Sequence, residues 1–219
     1  MAIIKGFIFD LDGVLVDTAK YHYQAWRRMA NNLGFDFSEK DNEQLKGVGR
    51  RDSIEKILSW GNLTLSEEEK ERLMHQKNEW YQVLIKTMNA ESTLPGVREF
   101  LEGARNASLS LALASSSKNA LHILELTALA GYFATVVDGN QITNSKPDPE
   151  IFRTAAERLD LEPGELVVFE DAKAGVEAAL AGGFRIVGIG NKKSLPEAEL
   201  VFKGLGETSP AEVINRLNF

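Results

Sequence analysis

Near the start of the chain lies the stretch Phe7-Ile8-Phe9-Asp10-Leu11-Asp12-Gly13, in which an apolar run ends in two aspartates and a glycine. The residues from Ile3 to Phe9 are mostly β-branched or aromatic, which predicts a buried strand. Asp and Gly are depleted in strands, so the strand ends at this point. The three residues after it have two interpretations. They form a simple turn, or they form a ligand site, because open α/β sheets bind ligands beyond the carboxyl ends of their strands.

Further strand-like segments follow, separated by helical patterns. The strand candidates are residues 3–10, 108–115, 133–138, 165–170 and 184–189, with a weaker one at 199–202. The helical patterns are residues 96–106, 117–130, 148–160 and 171–182, and a last helix starts at Ser209-Pro210 with Glu212 at its third position. This alternation predicts an α/β fold with a doubly wound, parallel, Rossmann-like sheet. Ser followed by Pro and then Glu is typical of a helix N-terminus.

Residues 17–90 interrupt the alternation and show only helical periodicity. Helices are predicted over Thr18–Leu33 and Ser53–Trp60, and Ser66 with Glu69 forms a capping box that opens a long helix towards Met88. We therefore predict a core of residues 1–15 and 93–219 and an inserted α-helical cap of residues 16–92. Such a cap can close over the strand ends as a lid.

Composition excludes several classes of function. The chain of 219 residues carries a net charge of −7, which argues against nucleic acid as a partner. It has no cysteine, so disulfide and thiol chemistry are excluded. No apolar run approaches the roughly 18 residues that span a membrane, and the N-terminal residues lack a signal-peptide pattern. We expect a cytoplasmic monomer that does not bind membranes.

Polar side chains follow four of the predicted strands. They are Asp10 and Asp12, the run Ser115-Ser116-Ser117-Lys118-Asn119, Lys146, and the pair Glu170-Asp171. In a parallel sheet these groups converge at one edge. Several carboxylates in one place repel each other unless a cation neutralises them, and Mg²⁺ prefers oxygen ligands and substrate phosphates. The hydroxyls and free N–H groups at the start of a helix bind anions.

This set of groups suits phosphoryl transfer, which needs mainly positioning and neutralisation of charge. Because the chain has no Cys and no evident Ser–His pair, the most plausible nucleophile is a carboxylate that forms an aspartyl-phosphate. Asp10 and Asp12 can then divide the work: one attacks phosphorus, and the other exchanges a proton with the leaving or entering hydroxyl.

The same residues resemble the motifs of the haloacid dehalogenase superfamily. The motifs are Asp10–Thr18, Leu113-Ala114-Ser115, Ser145-Lys146-Pro147, and Phe169-Glu170-Asp171 with Gly175, in the expected order. The resemblance implies that Asp10 is the nucleophile and Asp12 the general acid/base, and that Ser115 and Lys146 hold the transferring phosphate. It also implies a Mg²⁺ site formed by Asp10, the carbonyl of Asp12, Glu170 and Asp171.

The cap segment is similar to that of the β-phosphoglucomutase family. The matching stretches are Thr18–Trp26, Gln44–Ser53 and Gln76–Asn78, together with Ala114–Asn119 of the core. The resemblance implies that Arg50 grips the distal phosphate and that His22, with Thr18 near the hinge, helps to place the acid/base. Other positions match sugar or phosphate contacts of that family: Trp26, Lys46, Gly47, Val48, Ser53, Lys77, Ser116, Ser117 and Asn119. Two positions depart from the pattern, Val16 and Gly49, where relatives carry hydroxyl residues; neither removes a catalytic group.

The resemblance therefore implies an isomerase that moves a phosphate between two positions of glucose through an aspartyl-phosphate and a bisphosphate intermediate. One alternative is a Mg²⁺-dependent sugar-phosphate phosphatase that uses the same two aspartates. Another is a non-catalytic module that binds phosphosugars, although every catalytic residue of the motifs is retained.

Overall fold

The structure, a computed structural model, describes residues 3–218. Over these residues it contains one sheet of six parallel strands in the order β3-β2-β1-β4-β5-β6. The strands are β1 Gly6–Phe9, β2 Ser110–Ala114, β3 Thr135–Val137, β4 Leu166–Glu170, β5 Arg185–Ile189 and β6 Leu200–Phe202. Each of them lies inside a segment that the sequence predicts as a strand. The predicted doubly wound α/β fold is therefore confirmed.

The strand β1 lies between β2 and β4 and is buried along its whole length. Its alternate side chains face opposite layers of helices. Phe7 and Phe9 pack with the apolar cluster that includes helices α5 (Val97–Asn106), α6 (Ala120–Leu126) and α9 (Pro210–Leu217). Ile8 packs on the other side, against helices α7 (Glu150–Leu159) and α8 (Lys173–Gly182). Burial on both faces explains the nearly continuous apolar sequence of the strand.

Four helices lie between β1 and α5. They are α1 Ala19–Asn32, α2 Glu39–Glu43, α3 Arg50–Trp60 and α4 Glu67–Ile85. Three of them, α1, α3 and α4, share a separate apolar cluster that contains Trp26, Met29, Ile54 and Met74, while Tyr81 and Ile85 of α4 belong to the cluster of the sheet. A bridge between Val16 and Thr93 brings the two connecting segments side by side. The limits of a cap at residues 16 and 92 stay a prediction.

Helix boundaries show where local sequence signals were sufficient. The capping box of Ser66 and Glu69 and the N-cap at Ser209 are both present, as predicted. The helix α4 ends at Ile85 rather than at Met88, and the predicted helix 117–130 is restricted to α6, followed by a 3₁₀ turn at Ala130–Tyr132. Ala128 has a φ of 52°, which interrupts the helical path there. No helix of residues 3–218 is both long and apolar enough to cross a membrane.

Gly96 marks the point where the chain enters α5, and its replacement tests the packing at this junction. Its φ is 76°, and a Cβ atom there would lie 2.2 Å from Cα of Gly206. We expect Gly96→Ala to lower the free energy of unfolding by about 1–3 kcal/mol, because a left-handed conformation and a backbone contact both oppose the methyl group. Urea unfolding measures the change. Gly131→Ala is the control, since a Cβ there meets no described atom within 4 Å. If the two variants lose equal free energy of unfolding, the close packing at Gly96 is not the cause.

Candidate active site

The end of β1 forms the floor of the site. The amide of Asp12 donates to Oδ2 of Asp10 over 2.9 Å, so the turn orients the first carboxylate. Gly13 has a φ of 81°, and a Cβ atom on it would lie 2.1 Å from Oδ2 of Asp171. A glycine at this position therefore lets the β1 turn approach the carboxylate that follows β4. The two interpretations of Asp10-Leu11-Asp12-Gly13, as a turn and as a ligand site, are therefore compatible.

A buried lysine connects three of the strand ends. Nζ of Lys146 donates to Oδ1 of Asp10 and to Oε1 of Glu170, each over 2.6 Å, and to the carbonyl of Ala114 over 3.3 Å. Burial alone would lower the pKa of Lys146, but the two carboxylates outweigh it and raise the pKa, so the side chain stays charged. The ammonium group thereby holds β1, β2 and β4 together at the edge where the groups converge.

Two acidic residues at the end of β4, Glu170 and Asp171, are held in a buried, mutually repulsive setting. Burial raises the pKa of Asp171 well above its usual range, and Glu170 and Asp10 raise it further by repulsion. The nearest cation to Asp171 is Nζ of Lys46, at 4.0 Å. Within residues 3–218, no three acidic or histidine side chains stand close enough together to hold a metal ion. Lys146 separates Asp10 from Glu170, and the second oxygen of Glu170 accepts from the amide of Ala172 over 2.8 Å.

The donor set nevertheless fits a hard cation beside Asp171. The available groups are carboxylate and carbonyl oxygens, which are the ligands Mg²⁺ takes together with waters and a substrate phosphate. A cation beside Asp171 would relieve the burial and the repulsion that raise the pKa of this carboxyl group.

The segment after β2 provides hydroxyls and amides. The amide of Ser117 donates to Oγ of Ser115, and the amide of Asn119 donates to Oγ of Ser117, each over 3.2 Å. Oγ of Ser116 donates to the carbonyl of Gly47 over 3.1 Å, a contact between the sheet and the helical segment. Ser115, Ser116, Ser117 and Lys118 line the same cavity as Asp10 and Asp12.

Two basic side chains, the buried Lys77 and the partly buried His22, line the cavity from the helices. Nζ of Lys77 lies 2.8 Å from Nδ1 of His22 and 4.3 Å from the centre of the Trp26 ring. Burial lowers the pKa of both side chains well below their usual ranges, and repulsion lowers them further. A neutral His22 accepts at Nδ1, so Lys77 is the donor of this hydrogen bond. Negative charge on Asp12 acts in the opposite direction and raises the pKa of Lys77.

Arg50 opens α3 on the same side of the cavity. The N-cap of this helix is Gly49, which has no side chain to satisfy the first N–H groups, so the helix presents free donors at its positive end. Burial lowers the pKa of Arg50, but a guanidinium remains charged. One of its N–H groups donates to Oδ1 of Asn78 over 2.8 Å. A guanidinium and a helix N-terminus are both groups that bind anions, and Arg50 lines the same cavity as Ser115, Ser116 and Ser117.

Most of the predicted site residues line one cavity. These are Asp10, Asp12, His22, Trp26, Lys46, Gly47, Val48, Arg50, Ser53, Lys77, Ser115, Ser116, Ser117 and Asp171. Four others lie behind its wall: Lys146 and Glu170 beneath Asp10, Asn119 beside Asn78, and Thr18 ahead of α1. Sequence reasoning missed further lining residues, namely Gly13, Asp17, Ala19, Asn42, Leu45 and Lys118. All of these except Asn42 fall inside the stretches quoted for the family resemblance, which was the one available signal.

Asp12 is placed to hold a proton. Burial of its carboxyl group, with repulsion from Asp10 as the next cause, raises its pKa from 3.8 to about 8. Its Oδ1 is buried and accepts no hydrogen bond from the residues that the structure describes, so this oxygen is free to meet a substrate hydroxyl. A carboxylic acid that keeps its proton near neutral pH is suited to general acid catalysis.

The raised pKa has a consequence for stability. Between about pH 4 and pH 8 the folded protein holds a proton on Asp12 that the unfolded chain has released. The stability from this proton is present at low pH, declines as the pH rises, and is lost above about pH 8. We expect the melting temperature of the metal-free wild type, relative to that of Asp12→Asn, to fall between about pH 5 and about pH 9. A melting-temperature difference between the wild type and Asp12→Asn that stays constant or grows with pH would contradict the raised pKa. The control is Asp36→Asn, which changes an exposed aspartate.

Comparisons with known proteins show the family of the chain. A family model described as haloacid dehalogenase-like hydrolase matches residues 7–189. The chain is 41% identical over 202 residues to a β-phosphoglucomutase of Bacillus subtilis (strain 168), covering 91% of this chain and 89% of that protein. It is 36% identical over 218 residues to a phosphorylated carbohydrates phosphatase of Thermotoga maritima, covering 98% of each. The crystal structure of β-phosphoglucomutase from Clostridium difficile superimposes with a TM-score of 0.96 at 38% identity, covering 99% of this chain and 98% of that one.

Proposed function

Because the chain belongs to the haloacid dehalogenase-like hydrolase family, we propose that it is a β-phosphoglucomutase that interconverts β-D-glucose 1-phosphate and glucose 6-phosphate. The observation that supports this most directly is a cavity with two anion-binding faces. Ser115–Asn119 and the strand ends form one face, and Arg50 at the start of α3 forms the other. A substrate with phosphates at both ends needs both faces, whereas hydrolysis of a single phosphate ester needs one.

In the proposed reaction Asp10 is the nucleophile. One of its carboxylate oxygens forms a bond to phosphorus while the bond from phosphorus to the sugar oxygen breaks, and Asp12 gives its proton to that oxygen. Lys146 and the amide of Asp12 fix the orientation of Asp10. Ser115 binds the transferring phosphate, and Lys146 supplies a positive charge beneath it.

The other transfer uses the same groups in reverse. The 6-hydroxyl of β-D-glucose 1-phosphate attacks the aspartyl-phosphate: its oxygen forms a bond to phosphorus, the bond from phosphorus to Asp10 breaks, and Asp12 takes the proton. The product is β-glucose 1,6-bisphosphate, which turns end over end. Attack by Asp10 on its 1-phosphate then gives glucose 6-phosphate and regenerates the aspartyl-phosphate. During each transfer Arg50 holds the phosphate that does not react, through charge-assisted hydrogen bonds. His22 and Lys77 line the same cavity as Asp12, and we propose that they help to place it.

Mg²⁺ is the cofactor that fits this proposal. Asp10, the main-chain carbonyl of Asp12, Glu170 and Asp171 would hold the ion, which when bound neutralises charge on the phosphoryl oxygens. Asp10 and Glu170 are both constrained as ligands, because both oxygens of each already accept hydrogen bonds. We further propose a phosphorylated hexose as the small-molecule partner, a monomeric state and a cytoplasmic location.

A product assay tests the proposed function. Supplied with β-glucose 1-phosphate, Mg²⁺ and a trace of the bisphosphate, the protein should form glucose 6-phosphate faster than free phosphate. Its similarity to the Thermotoga phosphatase makes hydrolysis the competing activity, with water attacking the aspartyl-phosphate. Release of phosphate that outpaces isomerisation would favour the phosphatase. Asp10→Asn should reduce both products to the level of the uncatalysed control.

Replacing Arg50 tests the second anion-binding face. We expect Arg50→Ala to lower kcat/KM of the mutase reaction by roughly 100-fold, because charge-assisted hydrogen bonds to the distal phosphate are lost. Hydrolysis of p-nitrophenyl phosphate, which has no distal phosphate, should fall much less, so the ratio of the two activities should drop. Arg51→Ala is the matched control, since Arg51 pairs with Glu55, Glu67 and Glu71 on the outer surface. Equal losses in both reactions would refute the assigned role.

A further inference from the structure

A chain of side-chain amides crosses the cavity wall from α4 to α6. Arg50 donates to Oδ1 of Asn78 over 2.8 Å. Nδ2 of Asn119 donates to the same oxygen over 2.9 Å, and Nε2 of Gln82 donates to Oδ1 of Asn119 over 3.1 Å. Arg50, Asn78 and Gln82 belong to α3 and α4, whereas Asn119 is the N-cap of α6. We call Gln82, Asn119, Asn78 and Arg50 the amide relay.

The direction of every hydrogen bond in the amide relay follows from Arg50. A guanidinium can only donate, so Asn78 must present its oxygen to Arg50. The two lone pairs of that oxygen are then shared between Arg50 and the amide nitrogen of Asn119. Asn119 must in consequence turn its own oxygen towards Gln82, which has to donate. Each amide therefore has one permitted orientation, although an isolated amide could be reversed without changing its shape.

The contacts of the amide relay join the two anion-binding faces. Asn119 is buried at the end of the Ser115–Asn119 segment, with only 6% of its surface exposed. Arg50 uses one N–H group for Asn78 and keeps its other donors for the cavity that it lines. Both bonds to Asn119 span the gap between the helices and the sheet, so they exist only while that gap is closed.

We propose that Asn78 and Gln82 are positioning residues that couple closure of the cavity to the alignment of Arg50. Contact with Asn119 fixes the orientation of Asn78, and the oxygen of Asn78 then fixes the direction of the guanidinium. The grip on the distal phosphate is thus complete only when α4 and α6 meet. This proposal rests on the proposed mutase function, because a phosphatase has no distal phosphate to align.

The first test is a double-mutant cycle on the mutase reaction. Asn78→Ala should lower mutase kcat/KM by roughly tenfold or more, since it removes the acceptor of a charged hydrogen bond. Its effect on p-nitrophenyl phosphate hydrolysis should be smaller. If Asn78 acts through Arg50, the same replacement has little further effect in the Arg50→Ala background. Equal losses in both backgrounds would overturn the proposal.

The second test uses the exposed end of the amide relay, where folding is not at risk. Gln82→Glu keeps the shape of the side chain but cannot donate a hydrogen bond. If the amide of Asn119 keeps its orientation, its oxygen faces the new carboxylate. If the amide reverses, its oxygen faces the oxygen of Asn78 instead. Gln82→Glu should therefore lower mutase kcat/KM more than Gln82→Ala does, by several-fold. Gln76→Glu adds the same charge at an exposed position of α4 outside the cavity, and it should have little effect.

The outcomes separate this proposal from the proposed function. A wild-type protein without mutase activity refutes the proposed function. A wild-type mutase in which Gln82→Glu behaves like Gln82→Ala or like Gln76→Glu refutes the amide relay alone. The amide relay is supported if mutase kcat/KM is lower in Gln82→Glu than in Gln82→Ala, and if Asn78→Ala has little further effect in the Arg50→Ala background.

Discussion

Lys146 lies with its side chain fully buried between the carboxylates of Asp10 and Glu170. Removing the ammonium group would leave two buried carboxylates without a cation between them, at a cost of about 3–5 kcal/mol. The same group holds the end of β1 against the ends of β2 and β4, and it orients the carboxylate of Asp10, which we propose as the nucleophile. Stability of the sheet edge and preparation of the nucleophile therefore depend on one interaction.

The floor that Lys146 organises becomes a mutase site only when the helical segment covers it. Ser116 meets the carbonyl of Gly47, and Asn119 meets Asn78 and Gln82. Closure also buries His22 and Lys77, whose pKa values fall well below their usual ranges as a result. Excluding water in this way protects an aspartyl-phosphate from hydrolysis, and it raises the pKa of Asp12 so that the acid keeps its proton. We therefore expect the cap side of the cavity to set the balance between transfer and hydrolysis.

Local sequence signals predicted the fold and the floor of the site well. Every strand was anticipated because burial on both faces leaves a short apolar run, and Asp10, Asp12, Lys146 and the Glu170-Asp171 pair stand out where such runs end. The resemblance to known motifs added Arg50 and His22. Asn78 received no role and Gln82 was missed entirely, because their partners lie 28 to 41 residues away in sequence. Polar residues on an exposed helix carry no periodic signal that distinguishes a hydrogen-bonding relay from a solvated surface.

The central claim is that Asp10 carries the phosphoryl group and delivers it to a sugar rather than to water. The most direct measurement labels the protein with bisphosphate bearing ³²P, isolates the labelled protein, and adds β-glucose 1-phosphate in a rapid-quench experiment. The account predicts label on the peptide containing Asp10 and its transfer to glucose bisphosphate before inorganic phosphate appears. Label that is absent from this peptide, or that passes to inorganic phosphate at the same rate with and without the sugar, would contradict it.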